Sequence, residues 1–156
     1  MSTEENKALY MRYWDALRNT DQLKEVLAPD FVAHDLPPGV TLLQFRQIAN
    51  EAFPDQKAEL VVLLAEGDKV AGCWRLSQTH LGTFQGVAPT SKHVTIELLE
   101  IVRIQEGKIA ERWVQFDRGG VLQQLGITQS PYRVPPLHME GEELGRVMLP
   151  SSLWLQ

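Results

Sequence analysis

The start of the chain has the hydrophobic spacing of a helix. Apolar residues recur at four-residue intervals, at Leu9, Tyr13 and Leu17. Ser2, followed three residues later by Glu5, matches a capping box, in which each side chain bonds the backbone N–H of the other residue. These patterns predict a helix that begins near Ser2.

Two further helices are predicted in the first third of the chain. A short one covers about residues 21–27. Thr41 followed by Gln44 is a second capping-box pattern, and the helix it opens should end near Phe53, because the proline after Phe53 disfavours helical backbone. Between these helices, residues 30–39 should be irregular or a short edge strand, since adjacent prolines cannot join a central ladder.

After the third helix the hydrophobic period changes to two, which is typical of strands. Residues 59–66 and 69–80 are predicted to form two strands joined by a tight turn. If Ala65 pairs with Val70, one face of this pair holds Val61, Leu63, Trp74, Leu76, Gln78 and His80.

The clearest pattern is a hairpin of residues 94–104 and 108–117 around a tip that contains Gly107. If the tip is a two-residue turn, Ile104 pairs with Ile109 and the register is fixed. One face then holds Ile96, Leu98, Glu100, Val102, Ile104, Ile109, Glu111, Trp113, Gln115 and Asp117. The other face holds Glu97, Leu99, Ile101, Arg103, Ala110, Arg112, Val114 and Phe116.

Asp117 is the candidate functional acid of this hairpin. The register places it beside Trp113 and Leu98, and an acid among apolar side chains has its charged form disfavoured, so its pKa should rise. A raised pKa makes a carboxylate a better base at neutral pH. Asp117 also precedes a short helical pattern at residues 121–125, where an Asp is a good helix N-cap. The spacing leaves both roles open.

The order of elements, helices first and then paired strands, indicates the α+β class. We expect a cone-shaped barrel, in which a strongly curved antiparallel sheet wraps over the N-terminal helices and leaves one open mouth. Apolar residues with a few polar groups inside such a cone would form a small-molecule pocket.

The last thirty residues differ from the rest. Prolines interrupt them, yet apolar residues such as Leu153, Trp154 and Leu155 are too frequent for a disordered tail. We therefore expect residues 1–126 to form the cone domain. Residues 127–156 should be a proline-rich apolar extension packed on that domain or on a partner subunit.

Composition limits the partners of the chain. Its 156 residues suffice for one domain with a substantial core. A net charge of −5 argues against a nucleic-acid surface, which normally shows a basic stripe. The longest apolar run, residues 60–65, is far shorter than the roughly 20 residues of a membrane-spanning helix. The N-terminus lacks an apolar signal core, so we expect a cytoplasmic protein. The single cysteine, Cys73, excludes an internal disulfide and lies in an apolar strand, which favours a core residue over a nucleophile.

Several short motifs stand in a characteristic order. They are Phe31-Val32-Ala33-His34-Asp35, Ala52-Phe53-Pro54-Asp55, Ala65-Glu66-Gly67-Asp68-Lys69-Val70, Thr79-His80-Leu81-Gly82-Thr83-Phe84-Gln85-Gly86, Gly107-Lys108-Ile109, and Leu122-Gln123-Gln124-Leu125-Gly126. Over roughly residues 5–127 the chain resembles the SnoaL-like polyketide or ester cyclases, within the nuclear transport factor two-like superfamily.

The resemblance implies a function as well as a fold. It implies a cone-shaped α+β barrel, dimeric or higher, and, in members that are cyclases, an intramolecular aldol ring closure without a cofactor. An Asp at the position of Asp117 then takes a proton from the carbon between carbonyl groups of a small-molecule substrate and returns one to the new oxygen. Arg112 stands where family members often carry histidine, and Val114 where they often carry an acid.

Other candidates surround the expected pocket. The candidate substrate-binding residues are His34, Asp35, Phe53, Trp74, His80, Trp113 and Gln115. His34 could bond a substrate carbonyl at the rim, or be tied to nearby backbone while Asp35 forms a turn. His80 could belong to the site or support the glycine-rich stretch that follows it. No metal site is expected, since one needs three or four convergent ligands. In enzymes of the fold that the resemblance implies, epoxide hydrolysis is associated with an Asp-Arg-Asp arrangement. No such trio can be placed from the sequence.

Two classes of function remain open. The first is an enzyme that uses Asp117 as acid and base on a small carbonyl compound, as a cyclase or as a related isomerase or hydrolase. The second is a non-catalytic binding or assembly module, since fold does not determine function. In either case we expect a homodimer formed through the outer sheet face, which should expose Leu99, Ile101, Val114 and Phe116.

Overall fold

A computed structural model describes residues 1–127 of the chain. Residues 128–156 lie outside the described residues. The expectation that residues 127–156 pack as an extension concerns this segment. The elements are α1 (Thr3–Ala16), α2 (Thr20–Val26), β1 (Leu27–Ala33), α3 (Leu42–Ala52), β2 (Lys57–Glu66), β3 (Lys69–Thr79), β4 (His93–Gln105), β5 (Lys108–Phe116) and α4 (Arg118–Gln124).

The helices begin where the capping patterns predicted. Ser2 and Glu5 form a complete capping box at the start of α1, and Thr41 with Gln44 forms one at the start of α3. Each box satisfies backbone N–H groups that no helical carbonyl can reach. Helix α3 ends at Ala52, and Phe53 is its C-cap, directly before the proline. These short-range signals therefore set the helix boundaries.

The five strands form one curved, unclosed sheet in the order β1-β5-β4-β3-β2, which confirms the α+β class. Neighbouring strands are antiparallel except that β1 runs parallel to β5. Strand β1 contains Pro29 and lies at the sheet edge, where a missing N–H costs no ladder bond. The main core lies between α1, α2 and the inner face of the sheet.

Helix α1 approaches the sheet closely at one glycine. A Cβ placed on Gly72 of β3 would overlap the hydroxyl of Tyr10 and lie 2.8 Å from the indole nitrogen of Trp74. The absence of a side chain at this point allows the phenol of Tyr10 to lie directly against the backbone of β3.

Both predicted hairpin registers need a correction beyond the turn. The pairs next to each turn, Ala65 with Val70 and Ile104 with Ile109, form as predicted. Further along β2, the register shifts at Val61, which is 46% exposed rather than on the inner face. In such a β-bulge, two residues of one strand lie opposite one residue of the neighbouring strand.

The second bulge, at Ala110 of β5, reverses the faces of that strand. Ile104 pairs with Ile109 but Arg103 pairs with Glu111, so Ala110 is an extra residue. Ile109 and Ala110 are consequently both buried. A one-residue shift moves every later side chain to the opposite face. The predicted inward set of Trp113, Gln115 and Asp117 is therefore wrong, and the residues that turn inward are Arg112, Val114 and Phe116.

Among the described residues no helix combines the length and hydrophobicity needed to span a bilayer.

Candidate functional site

A cavity opens between the inner face of the sheet and helices α1 and α3. Its accessible volume is about 150 Å³, comparable to a cavity that holds one benzene ring. Most of the wall is apolar, and the aromatic residues that line it are Trp14, Phe45, Phe53, Phe84 and Phe116. The size and lining fit a small, largely apolar ligand or one ring of a larger one.

Two carboxylates and an arginine that line this cavity form what we call the acid–arginine cluster: Asp35, Glu100 and Arg112. The guanidinium of Arg112 donates two hydrogen bonds to Asp35, from Nε to Oδ1 at 2.9 Å and from Nη2 to Oδ2 at 2.6 Å. Its Nη1 lies 3.7 Å from Oε1 of Glu100. The three side chains are 9%, 1% and 6% exposed, in the order Asp35, Glu100, Arg112.

Three elements bring this cluster together. Glu100 lies on β4, and the bulge in β5 turns Arg112 toward it. Asp35 follows β1, whose parallel pairing with β5 is continued by a hydrogen bond from the backbone N–H of His34 to the carbonyl of Arg112. The planar guanidinium fork suits a carboxylate that accepts two bonds.

Donors of α1 surround Glu100. The hydroxyls of Tyr10 and Tyr13 donate to its two oxygens at 3.0 and 2.9 Å, and the indole N–H of Trp14 donates at 2.6 Å. The direction of the two tyrosine bonds follows from their other partners. Trp74 donates to the Tyr10 oxygen and Arg112 donates to the Tyr13 oxygen, so each hydroxyl hydrogen is free to donate to Glu100. Indole and guanidinium groups only donate, so the network is fully satisfied when Glu100 is ionised.

Burial and charge act against each other in this cluster. Burial raises the pKa of Glu100 above its ordinary value, although Arg112 and the donated hydrogen bonds lower it. Burial also raises the pKa of Tyr10 and Tyr13, so both phenols are protonated donors at neutral pH. Burial acts to lower the pKa of Arg112, but Tyr13, Asp35 and Glu100 together raise it, and the guanidinium stays charged.

The structure does not place Asp117 in the wall of the cavity. Its side chain is exposed, and its Oδ1 accepts a hydrogen bond from the backbone N–H of Gly120 at 2.8 Å, which makes Asp117 the N-cap of α4. The neighbours on either side, Phe116 and Arg118, line the cavity. The expectation of a carboxylate buried beside Trp113 is therefore wrong, because the β5 bulge turns Phe116 inward instead.

The same shift moves two more candidates to the outer face. Trp113 stacks on His34, with ring centroids 4.7 Å apart and planes 5° from parallel. His34 is exposed, and its Nε2 lies 3.9 Å from Glu111. Gln115 is exposed and pairs with Leu99 on the outer face. None of these three side chains lines the cavity.

The remaining candidates divide between wall and core. Phe53 is 3% exposed and lines the cavity, as does Asp35. Trp74 is buried beneath the cavity wall, where it stacks on Trp14 and bonds Tyr10. His80 is fully buried and accepts a hydrogen bond from the backbone N–H of Thr90 at its Nδ1, so it supports the glycine-rich loop.

The sequence contained a weak signal for the cluster that the register argument missed. Ile109 and Ala110 are consecutive apolar residues directly after the hairpin tip, and both are buried, as can happen at a bulge where two residues lie opposite one. Glu100 was placed on the inner face as predicted, but Arg112 was assigned to the outer one. Within residues 1–127, no group of three metal-binding side chains is close enough to hold an ion.

Comparison with known proteins gives consistent relatives. The family model of SnoaL-like polyketide cyclases matches residues 7–125. AclR from Streptomyces galilaeus, proposed to be a hydroxylase, is 30% identical with a TM-score of 0.71, over 80% of this chain and 98% of AclR. IdmH from Streptomyces antibioticus, proposed to be a polyketide cyclase, is 28% identical with a TM-score of 0.65, over 78% of this chain and 98% of IdmH.

A third structure, a SnoaL-like polyketide cyclase from Agrobacterium tumefaciens C58, shares the fold at 21% identity and a TM-score of 0.64, over 81% of this chain and 100% of its own. No functionally curated protein matches the chain by sequence.

Proposed function

The chain belongs to the SnoaL-like polyketide cyclase family, and on that premise we propose that it catalyses proton transfer on a small carbonyl compound bound in the cavity. The observation that carries the proposal is the acid–arginine cluster in the wall of a cavity that is mostly apolar. As the resemblance implies, the reaction needs no cofactor and is of the aldol type used for ring closure.

The cluster supplies two parts of such a reaction. A guanidinium that lines the cavity, as Arg112 does, can stabilise the oxygen anion that develops when a proton leaves the carbon next to a carbonyl group. Asp35 is held beside it and is the group we assign to take that proton. The apolar walls limit water and so strengthen both interactions.

Asp117 offers a second location for the same chemistry. Its neighbours Phe116 and Arg118 line the cavity, so a turn of the Asp117 side chain away from Gly120 would bring its carboxylate to the mouth. The resemblance assigns the acid and base to this position. The two assignments differ in which end of the ligand reacts.

A hydrogen-exchange assay separates them. Phenylacetone, a ketone with one ring, is incubated with the protein in D₂O, and deuterium uptake at the carbon between ring and carbonyl is followed by proton NMR. We expect Asp35→Asn to slow the catalysed exchange by at least about a hundredfold, the usual effect of losing a general base. Asp117→Asn keeps a capping residue and should leave the rate close to wild type.

The other outcomes are equally informative. A loss of exchange in Asp117→Asn alone would move the acid and base to the mouth. Exchange no faster than in buffer would contradict the enzymatic proposal, and phenylacetone bound without exchange would favour the non-catalytic binding module.

Hydrolysis of an epoxide is a second candidate, and the arrangement Asp35–Arg112–Glu100 favours it, because a guanidinium between two carboxylates lines the cavity. Asp35 would take a proton from water as the water oxygen attacks an epoxide carbon, and would then give that proton to the alkoxide left by the broken C–O bond beside Arg112. Conversion of styrene oxide to its diol, lost in Asp35→Asn, would support this reaction over proton transfer on a ketone.

A further inference from the structure

Arg46 of α3 is a buried cation whose hydrogen-bond partners are all neutral. The residue is 8% exposed. Its Nε donates to the carbonyl of Leu17, and its Nη2 donates to the side-chain oxygens of Asn50 and Gln56. Within residues 1–127 no carboxylate lies within ion-pair distance of Arg46, and its Nη1 makes no hydrogen bond. Buried charges in proteins are normally paired, so this arrangement is unusual.

The contrast with Arg112 shows what is missing. Both guanidiniums are buried and both line the cavity. Burial lowers the pKa of Arg46 to about 10; Tyr13 and Glu100 act to raise it, whereas the charges of Arg112 and Arg18 act to lower it. Arg112, held by Asp35 and close to Glu100, has a raised pKa instead. Arg46 still carries its charge at neutral pH, but without an anion in contact.

The charges that line the cavity do not cancel. Among residues 1–127, three arginines line it, the buried Arg46 and Arg112 and the exposed Arg118, against two carboxylates, those of Asp35 and Glu100. Both carboxylates are already engaged with Arg112 or with hydroxyl and indole donors. In the described part of the chain, the cavity wall is therefore mostly apolar and holds one more cationic than anionic side chain.

Neutral amides continue from Arg46 along the cavity wall. Gln56 accepts from Arg46 and donates to Gln78, which is 3% exposed on β3, and all three residues line the cavity. The amide chain holds the guanidinium in place without neutralising it. A ligand anion would meet a fixed donor that loses little side-chain freedom on binding.

We propose that Arg46 is the binding subsite for a carboxylate of the ligand, so that the substrate is a small apolar acid with a ring-sized body. This proposal rests on the proposed function, because it assumes that the cavity is where the substrate binds. It adds that the substrate is negatively charged. It also gives the orientation of the substrate, with the carboxylate at Arg46 and the reacting carbonyl at the acid–arginine cluster.

The test compares two ligands that differ chiefly in charge. Benzoate and benzamide have the same ring and nearly the same shape, and their affinities for the full chain at neutral pH can be measured by NMR titration. We expect benzoate to bind at least about tenfold more tightly, as a charge-assisted bond to a guanidinium predicts. Benzoate should shift the side-chain amide signals of Gln56 and Gln78 most.

Three variants test whether the preference comes from Arg46. Arg46→Gln keeps amide donors but removes the charge, and should bind benzoate and benzamide equally. Arg75→Gln removes the same charge from the exposed Arg75 on the outside of the sheet and should keep the tenfold preference. Arg46→Lys keeps the charge and should retain a preference for benzoate.

Each contrary result bears on a different proposal. Equal affinities in the wild-type protein, or shifts confined to the mouth near Arg118, would overturn the subsite even if the Arg46→Gln variant does not fold. If the wild-type protein exchanges phenylacetone yet shows no preference for benzoate, the subsite fails and the proton-transfer function stands. If benzoate is preferred without any exchange, the subsite stands and the catalytic assignment fails.

Discussion

Glu100 combines two properties that oppose each other. Its burial raises its pKa, whereas the groups around it all donate hydrogen bonds and so favour its ionised form. Protonating Glu100 would leave a hydroxyl hydrogen of Tyr10 or Tyr13 without an acceptor. The hydrogen-bond donors around Glu100 therefore offset part of the cost of burying its ionised form.

Replacement of Glu100 by Gln should change how stability depends on pH. The pKa of Glu100 is higher in the folded chain than in the unfolded one, so between the two values the folded state binds more protons and the free energy of unfolding falls as pH rises. The difference in unfolding free energy, wild type minus Glu100→Gln, should therefore fall from about pH 4 toward neutrality. Urea unfolding at a series of pH values measures this difference.

The control for this prediction is Glu66→Gln, which removes an exposed carboxylate from the end of β2. A wild-type minus Glu100→Gln difference that stays constant or increases with pH would show that the donors outweigh burial.

At the level of elements, the contact between α1 and β3 sets the geometry of the cluster. Tyr10 accepts from Trp74 and donates to Glu100, and Gly72 leaves the space in which its phenol lies. The bulge in β5 acts from the other side, since it turns Arg112 inward. A helix and two strands must therefore keep their spacing for the cluster to exist.

Gly72→Ala should destabilise the chain and disturb the cluster together. The added methyl group would overlap the Tyr10 hydroxyl, so the helix or the phenol must move, and overpacking of this kind costs about 1–3 kcal/mol of unfolding free energy. Urea unfolding measures the loss. The matched change Gly119→Ala, where a Cβ would lie 3.6 Å from Asp117, should cost nothing, since alanine favours helix. Equal stability of Gly72→Ala and wild type would contradict this account.

At the scale of the whole molecule, the outer face of the sheet remains the best candidate for a subunit interface. Two of the residues first assigned to it, Val114 and Phe116, line the cavity instead. Leu99 and Ile101 are exposed as predicted, at 61% and 44%, and β2 adds Val62 and Leu64, at 47% and 64%. Pairing across β3 makes these four side chains neighbours, and an apolar patch of this kind favours association.

We expect a homodimer, and Leu99→Lys should dissociate it because a charge at the centre of the patch is costly to bury. Light scattering at micromolar concentration gives the mass, which for a monomer is 17.7 kDa. Leu81→Lys introduces the same charge at an exposed leucine outside the sheet and should leave the mass unchanged. A wild-type mass equal to that of the monomer would contradict the prediction.

The sequence by itself determined the features that depend on neighbouring residues. Capping boxes at Ser2 and Thr41 marked where α1 and α3 begin, and the turn residues set the pairs Ala65–Val70 and Ile104–Ile109. The α+β order and the inward position of Glu100 followed from local patterns, and the family followed from its resemblance in ordered motifs over roughly residues 5–127. Caps and tight turns are satisfied within a few residues, so their signals survive without knowledge of the rest of the chain.

The tertiary structure alone decided which side chains meet in the cavity. β5 has apolar and polar residues on both faces, so its alternation is compatible with either register, and the bulge at Ala110 chooses the one that turns Arg112 toward Asp35 and Glu100. Asp35 follows β1 and Glu100 lies on β4, 77 and 12 positions away from Arg112 in the chain. A bulge is retained when the contacts that distant groups form in the new register stabilise the fold more than the disrupted strand pairing destabilises it. A local sequence pattern does not report on those distant contacts.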